Sequence, residues 1–156
     1  MIPIDESNFD DALALNNAHD REVGAVSPDR FRRLLGWSRL AIFAPERAGF
    51  VVALGPGQTY DSYNYRWLSE RVAAFSYVDR IVVRAEARGR GVARALYEAV
   101  FADARAAGLP LVCCEVNVEP PNPVSDAFHA ALGFETLGVA ANPVSGKTVR
   151  YLKRAV

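Results

Sequence analysis

Residues 77–105 read YVDRIVVRAEARGRGVARALYEAVFADAR. The first seven residues are mostly β-branched or aromatic, which is typical of a strand. From Val92 to Val100 apolar residues recur at helical spacing, and Gly108 and Pro110 predict where that helix ends. The segment RGRGVA between them is therefore a turn that leads from a strand into the N-terminus of a helix.

That turn has the composition of a site for a phosphate or pyrophosphate. The first N–H groups of a helix have no partner within it and carry part of the positive helix dipole. Glycines at 89 and 91 would let an anion approach the backbone closely. Arg88, Arg90 and Arg94 would add fixed positive charge. A solvated basic turn has the same composition, so the residues alone leave both interpretations open.

Two common phosphate motifs do not match the turn. A Walker loop requires Gly-Lys followed by Ser or Thr, and residues 77–105 contain no lysine. A dinucleotide-binding fingerprint requires a third glycine at Arg94, where arginine would prevent close packing of helix on strand. A nucleotide-binding phosphate-loop protein is therefore a disfavoured alternative.

Length and composition limit the class of protein. The 156 residues are enough for one domain, placed at 1–156, with a substantial core. Lys and Arg balance Asp and Glu at 18 each, so no nucleic-acid partner is expected. No apolar run could span a membrane, and the N-terminus lacks a signal-peptide pattern. Cys113 and Cys114 are adjacent on a predicted strand, which predicts free thiols, a cytoplasmic location and no metal site.

The rest of the chain alternates predicted strands and helices, with no repeat or linker. Arg39–Phe43 and Gly49–Leu54 predict an antiparallel hairpin, and Leu111–Val118 predicts a further strand. A helix is expected to begin at Asn122-Pro123. The remaining predicted elements are an edge strand at 2–4, helices beginning at a Ser7/Asp10 capping box and at Ser27-Pro28, a short helix at Trp67–Phe75, and closing strands at Phe134–Val139 and Thr148–Lys153.

Residues 60–67 concentrate polar aromatic side chains. The segment could pack a loop and a short helix onto the sheet, which is the interpretation favoured for Trp67. It could also form one wall of a pocket for an acceptor substrate, since aromatic side chains offer a rigid, partly polar surface. The candidate substrate residues are Tyr60, Tyr63, Asn64 and Tyr65.

Asn122, Ser125 and His129 are spaced at i, i+3 and i+7, which puts them on one face of the last predicted helix. Polar residues on such a face are often merely solvated. A surface or internally satisfied histidine is the ordinary interpretation of His129 taken alone.

Two segments resemble the signatures of the GCN5-related N-acetyltransferase (GNAT) superfamily. Arg-x-x-Gly-x-Ala, at Arg88, Gly91 and Ala93, is similar to its acyl-CoA pyrophosphate loop. The segment NPVSDAFHAALGF at 122–134 is similar to its second signature. The two occur in the family's order, and together they span about residues 77–134.

The resemblance implies an α/β (α+β) fold. Its sheet would be mixed and largely antiparallel, with flanking helices and with splayed central strands at Tyr77–Arg84 and Leu111–Val118. It also implies acetyl-CoA as cosubstrate. The pantetheine arm would pair with the backbone of Ile81, Val82 and Val83, and an N–H near Val83 would polarise the thioester carbonyl.

The resemblance further assigns residues to the rest of the cosubstrate. Asn122 and Ser125 would contact its pantetheine or adenosine. The residues implied at the pyrophosphate are Arg88, Gly89, Arg90, Gly91, Val92, Ala93 and Arg94.

His129 stands where the family usually has a tyrosine, which is thought to protonate the leaving thiolate. A histidine can donate a proton there, because its pKa lies near neutrality and either ring nitrogen can donate. It could equally act as a base or hold a water molecule.

The attacking amine must lose a proton, and Asp79 and Glu115 on the two splayed strands are the candidate bases. Simple strand alternation would put Asp79 on the same face as Ile81 and Val83. Either carboxylate could instead form an ion pair, for example with Arg80.

The predicted function is direct transfer of an acetyl group from acetyl-CoA to a primary amine of an unidentified acceptor, without a metal. The alternative is a non-catalytic acyl-CoA-binding sensor or interaction module, which the missing tyrosine favours. An exposed strand edge would allow a homodimer.

Overall fold

The computed structural model describes all 156 residues, and a seven-stranded sheet organises them. The strands are β1 (Ile2–Pro3), β2 (Ser38–Phe43), β3 (Gly49–Leu54), β4 (Ser76–Val83), β5 (Leu111–Glu119), β6 (Glu135–Ala141) and β7 (Thr148–Ala155). Their order across the sheet is β1-β2-β3-β4-β5-β7-β6, and every neighbouring pair is antiparallel except β4 and β5. The predicted mixed, largely antiparallel sheet is confirmed.

Helices cover both faces of the sheet. They are α1 (Phe9–Asn17), α2 (Asp20–Val23), α3 (Pro28–Trp37), α4 (Tyr63–Ser69), α5 (Val92–Ala106) and α6 (Pro123–Ala131). Side chains of α1, α3 and α4 pack on one face, called here the α1 face, and those of α5 and α6 pack on the other, the α5 face. Strand β3 is buried throughout because its side chains alternate between these two cores. None of the helices is both long and apolar enough to cross a membrane.

The central strands β4 and β5 pair at only two positions, Ser76 with Val112 and Tyr77 with Cys113. Both strands continue well beyond these residues, and each stays paired on its outer side, β4 with β3 and β5 with β7. Their inner edges therefore face a V-shaped gap, called here the gap, with no strand between them. The predicted splaying of the central strands is confirmed.

Side-chain caps start three of the helices. Ser27, Ser62 and Asn122 each accept a hydrogen bond from the backbone N–H three residues further along. The caps at Ser27 and Asn122 agree with the sequence prediction. Because Ser62 is its cap, α4 begins at Tyr63, and it ends at Ser69. The helix predicted at Trp67–Phe75 therefore lies earlier in the chain than the sequence indicated.

The predicted Ser7/Asp10 capping box is wrong. Asn8 is the N-cap of α1 and makes no side-chain cap bond. The Ser7 hydroxyl donates instead to Asp5 Oδ1 at 2.6 Å, which closes a local turn before the helix.

Strand β4 contains a β-bulge at Asp79, whose two neighbours pair with consecutive residues of β3. An extra residue shifts the side-chain alternation that follows it. Asp79 consequently lies beside Tyr60 of the α1-face core, whereas Ile81 packs into the α5-face core. The predicted common face of Asp79, Ile81 and Val83 is therefore wrong.

Gly49 begins β3 beside the end of β4, and a Cβ at this position would collide with the backbone oxygen of Val82. We expect Gly49→Ala to lower the free energy of unfolding by about 1–3 kcal/mol, because a backbone atom cannot rotate away. Gly36→Ala in α3 is the control, since nothing lies within 4 Å of its added Cβ. It should be neutral or stabilising by about 0.5–1 kcal/mol. Equal urea-unfolding energies for the two variants would contradict this account of the β3–β4 contact.

Candidate active site

Six consecutive backbone N–H groups, from Gly89 to Arg94, have no hydrogen-bond acceptor in the protein. Helix α5 starts here with Gly91 as its N-cap, and no side chain caps it. Gly89 and Gly91 have φ angles of +74° and +79°, which glycine adopts without strain. The N–H of Arg88, in contrast, donates to the oxygen of Ala85 at 3.3 Å. These six groups, called here the amide turn, present unpaired donors at the positive end of a 15-residue helix.

The arginines of this segment differ in what they contact. Arg88 forms an ion pair with Glu22 of α2 at 2.9 Å, so it connects the segment to the N-terminal helices. Arg90 and Arg94 are exposed and have no partner in the protein. These two guanidinium groups are therefore available to a polyanion at the amide turn.

Ile81, Val82 and Val83 lie on the part of β4 that has no strand on its inner side. Backbone groups that point into the gap from this edge can pair with an extended chain as a neighbouring strand would. A short 3-10 helix at Ala85–Ala87 then leads directly to the amide turn. The amide turn thus follows the free edge of β4 directly along the chain.

Glu115 lies on the part of β5 that has no strand on its inner side, and its two carboxylate oxygens differ. Oε1 accepts from Asn64 Nδ2 at 2.9 Å and from the Tyr77 hydroxyl at 3.1 Å. Although the residue as a whole is half-buried, Oε2 is shielded from solvent and has no partner. Burial, reinforced by the nearby charge of Asp79, raises the pKa of Glu115 to about 8. A carboxylate with this pKa and one free oxygen is suited to take a proton from an amine.

Three neighbours of this carboxylate were not predicted from the sequence as site residues: Tyr77, Asn142 and Tyr151. The Tyr151 hydroxyl and Asn142 Nδ2 both donate to Asn64 Oδ1, at 2.9 and 3.1 Å. They come from β4, the β6–β7 turn and β7, and no sequence spacing connects them. The strand order alone brings them together.

Asp79 is engaged in a buried ion pair, one of the alternatives that the sequence left open. Its Oδ2 accepts from Arg80 Nε at 2.7 Å, and the two side chains are 4% and 7% exposed. Arg80 also donates from Nη1 to Asn16 Oδ1 at 2.8 Å, which ties the bulge to α1. Burial and the Asp79 charge raise the pKa of Tyr60. Asp79 thus acts on its surroundings through its charge, whereas Glu115 keeps an oxygen free.

His129 is buried, and both of its ring nitrogens are hydrogen-bonded. Nδ1 lies 2.7 Å from the backbone oxygen of Ser125, which can only accept, so the hydrogen-bond pattern assigns the proton to Nδ1. Burial lowers the pKa of His129, which favours the neutral ring. Nε2 therefore accepts from the Tyr97 hydroxyl, 2.7 Å away. In this state both ring nitrogens are engaged within the protein, and the ring offers no free N–H to a leaving thiolate.

Asn122 and Ser125 bond to each other at the start of α6. Asn122 Oδ1 accepts from the Ser125 N–H at 3.2 Å, and Ser125 Oγ lies 3.2 Å from His129 Nδ1. Asn122 is exposed, and its amide nitrogen remains available to a ligand. Its amide oxygen is not available, because it accepts the cap hydrogen bond from Ser125.

The four residues predicted at an acceptor pocket separate into two groups. Tyr65 is buried, and its hydroxyl donates to the oxygen of Gly55 at 2.7 Å, so it is a packing residue of the α1-face core. Tyr60 is also buried in that core. Tyr63 and Asn64 are half-buried at the start of α4, and Asn64 contacts Glu115.

Cys113 and Cys114 are buried free thiols on β5. Burial raises the pKa of both, to about 12 for Cys113, which keeps them protonated and unreactive. No group of three or more His, Cys, Asp or Glu side chains is placed to hold a metal ion.

The raised pKa of Glu115 makes stability depend on pH. The folded state keeps this proton up to about pH 8, whereas the unfolded chain releases it near pH 4.5. Stability should therefore fall as pH rises through this window and level off above it. We expect the unfolding free energy of the wild type to fall by roughly 2–4 kcal/mol relative to Glu115→Gln across that range. Urea unfolding at several pH values measures this, with Glu119→Gln, at the exposed end of the same strand, as control. Parallel curves for wild type and Glu115→Gln would contradict the assignment.

A model of the Acetyltransferase (GNAT) family matches residues 14–134. No curated protein matches the chain. The structure of Arabidopsis thaliana NAA60 with a bisubstrate analogue has a similar fold, with a TM-score of 0.75 at 15% identity over 99% of this chain and 95% of that one. The ribosomal-protein-S18-alanine N-acetyltransferase of Escherichia coli gives 0.70 at 15% identity, over 99% and 92%. An aminoglycoside 6'-N-acetyltransferase complexed with coenzyme A gives 0.72 at 15%, over 99% and 97%. Together with the predicted signatures, the family match over most of its length shows that this chain belongs to the GNAT acetyltransferase family.

Proposed function

We propose that this protein transfers the acetyl group of acetyl-CoA to a primary amine by direct attack within a ternary complex. One observation carries the proposal: a single gap has unpaired amide donors at one end and a carboxylate with a free oxygen, Glu115, beside it. A diphosphate at those amides and a proton acceptor at Glu115 would lie along the same gap, which supports this reaction.

The residues present fit acetyl-CoA. The amide turn would hold the pyrophosphate, with Arg90 and Arg94 adding charge. The free edge of β4 at Ile81–Val83 would pair with the amides of the pantetheine arm. A backbone N–H near Val83 would then polarise the thioester carbonyl.

Glu115 supplies the proton acceptor in this scheme. The carboxylate of Glu115 takes a proton from the acceptor ammonium, which frees the nitrogen lone pair. That pair attacks the thioester carbonyl carbon, so a C–N bond forms and the C–S bond breaks with its electron pair left on sulfur. The nitrogen then loses its second proton to the thiolate, directly or by way of solvent, which leaves one N–H on the amide, and Glu115 releases its proton to solvent. His129 donates none, since its one N–H is bonded to Ser125.

The acceptor is a primary amine carried by either a peptide or a small molecule. The names of the structural neighbours include both ribosomal-protein alanine and aminoglycoside acetyltransferases, so the shared fold does not select between a peptide and a small molecule.

A non-catalytic acyl-CoA-binding module is the second candidate, and the position of His129 favours it. This residue replaces the tyrosine expected from the family, and it is buried among hydrogen-bond partners. Such a module would bind acetyl-CoA at the same amides and would acetylate no amine.

Turnover separates the two candidates. Coenzyme A release should be measured with a thiol reagent over a panel of small amines, aminoglycosides and peptide N-termini. We expect release with at least one amine, rising with pH to a plateau above about pH 8 as Glu115 loses its proton. Glu115→Gln should lower kcat by about 100-fold or more. Thermal stabilisation by acetyl-CoA without turnover on any amine would favour the binding module.

Two glycines at opposite ends of α5 test the amide turn. Gly91 and Gly108 both have positive φ, +79° and +68°, and a Cβ on either would meet nothing within 4 Å. Substitution of either by alanine should therefore destabilise the fold similarly, by about 1–2 kcal/mol. We expect only Gly91→Ala to weaken acetyl-CoA binding, by about tenfold, because its methyl group lies among the donors. Equal affinities in calorimetric titration would remove the amide turn from the binding site.

A further inference from the structure

A chain of hydrogen bonds runs from the candidate base to the turn between β6 and β7. Asn64 of α4 donates from Nδ2 to Glu115 Oε1 at 2.9 Å. Its Oδ1 accepts from Asn142 Nδ2 at 3.1 Å. Asn142 is buried, and its own Oδ1 accepts from the backbone N–H groups of Val144 and Ser145, at 2.9 and 3.2 Å. Asn64 therefore links the carboxylate to the turn.

The backbone amides of the turn fix the direction of every bond in this chain. The N–H groups of Val144 and Ser145 can only donate, so Asn142 must present its oxygen to them and its NH2 group to Asn64. The oxygen of Asn64 accepts from that NH2 group, and the NH2 group of Asn64 is then left for Glu115 Oε1. Polar groups that are mutually satisfied in this way reinforce one another.

The Asn64 side chain is already occupied by these contacts. The Tyr151 hydroxyl is a second donor to its Oδ1, at 2.9 Å, so both lone pairs of this oxygen are used. An acceptor substrate that bonded to Asn64 Oδ1 would have to displace Tyr151 or Asn142. The arrangement suits a residue that orients its neighbours rather than one that binds substrate.

We propose that Asn64 is a positioning residue that holds the Glu115 carboxylate and the β6–β7 turn in one arrangement. The side chain bonds to Oε1 and leaves Oε2 free, and it anchors the turn through Asn142. The catalytic meaning of this inference rests on the proposed function, because it takes Glu115 as the base.

Besides the amide of Asn64, several titratable or charged groups interact with Glu115. Tyr77, Asp79 and Arg80 of β4 affect its pKa, and its charge affects the pKa of Tyr97 of α5, Cys114 of β5 and Tyr151 of β7. Truncation of Asn64 removes none of these side chains. A change in the titration of Glu115 in that variant would therefore report the lost Asn64 bond.

The test compares Asn64→Ala with the wild type by NMR, without substrate. We expect the amides of Val144 and Ser145 to exchange with solvent about five- to tenfold faster, because Asn142 has lost its anchor. We also expect Glu115, followed by its side-chain carbon signal, to titrate at higher pH, because a donor to the ionised form is gone. Asn64→Ser, too short to bridge both partners, should shift both readouts in the same directions if Asn64→Ala does not fold.

Ser69→Ala is the matched control on the same helix, because the Ser69 hydroxyl bonds only to the backbone oxygen of Tyr65. It should leave both readouts unchanged. Asn142→Ala should loosen the turn while leaving the titration of Glu115 near that of the wild type. Unchanged exchange at Val144 and Ser145, or an unchanged titration of Glu115, in the folded Asn64 variant would overturn the positioning role.

Failure of this inference is separable from failure of the proposed function. Exchange and titration are measured on the protein alone, so they retain their meaning if no amine is acetylated. If the enzyme is active, Asn64→Ala should lower kcat while leaving the affinity for acetyl-CoA unchanged, since Asn64 lies away from the amide turn. If the enzyme is active but Asn64→Ala changes neither its kcat nor the titration of Glu115, only the positioning role is overturned.

Discussion

The parting of β4 and β5 after two paired residues is the constraint on which the rest of the structure depends. Each strand is held along its outer side, β4 by β3 and β5 by β7, and each face of the sheet is covered by its own core. The strands can therefore separate without losing support. Their inner edges and the amide turn keep backbone groups that the protein itself leaves unpaired. A ligand with alternating amides and a diphosphate complements that arrangement.

The hydrogen bonds around Glu115 depend on an apolar contact between Trp67 and Tyr151. A Cβ on Gly138 would lie 2.7 Å from the Trp67 ring, so glycine lets that ring approach β6. Trp67 in turn stacks on Tyr151, with ring centroids 3.8 Å apart. This stack fixes the ring whose hydroxyl donates to Asn64. An apolar contact thereby sets the geometry of a hydrogen bond that reaches the carboxylate of Glu115.

The sequence predicts the features that short-range chemistry controls. The amide turn follows from glycines before a helical pattern, and the caps at Ser27 and Asn122 follow from their side chains and the prolines after them. The bulge at Asp79 could not be predicted, because it depends on the register between β3 and β4. The residues around Glu115 come from α4, β4, β7 and the β6–β7 turn, and only the strand order assembles them. The buried state of His129 depends likewise on Tyr97, a residue of another helix.

The hydrogen bonds of His129 raise the question of which of the two proton transfers in the proposed reaction needs a catalytic group. A thiol has an ordinary pKa of about 8.5, so the sulfur can leave as a thiolate near neutral pH without an acid at its side. A primary ammonium must lose a proton before it can attack at all, and alkyl ammonium groups have pKa values near 10. Removing a proton from the amine is therefore the more demanding step. Glu115 has an unpartnered oxygen and a pKa raised by burial, which suit it to that step. A histidine whose ring nitrogens are both bonded, to Ser125 and Tyr97, is compatible with this division.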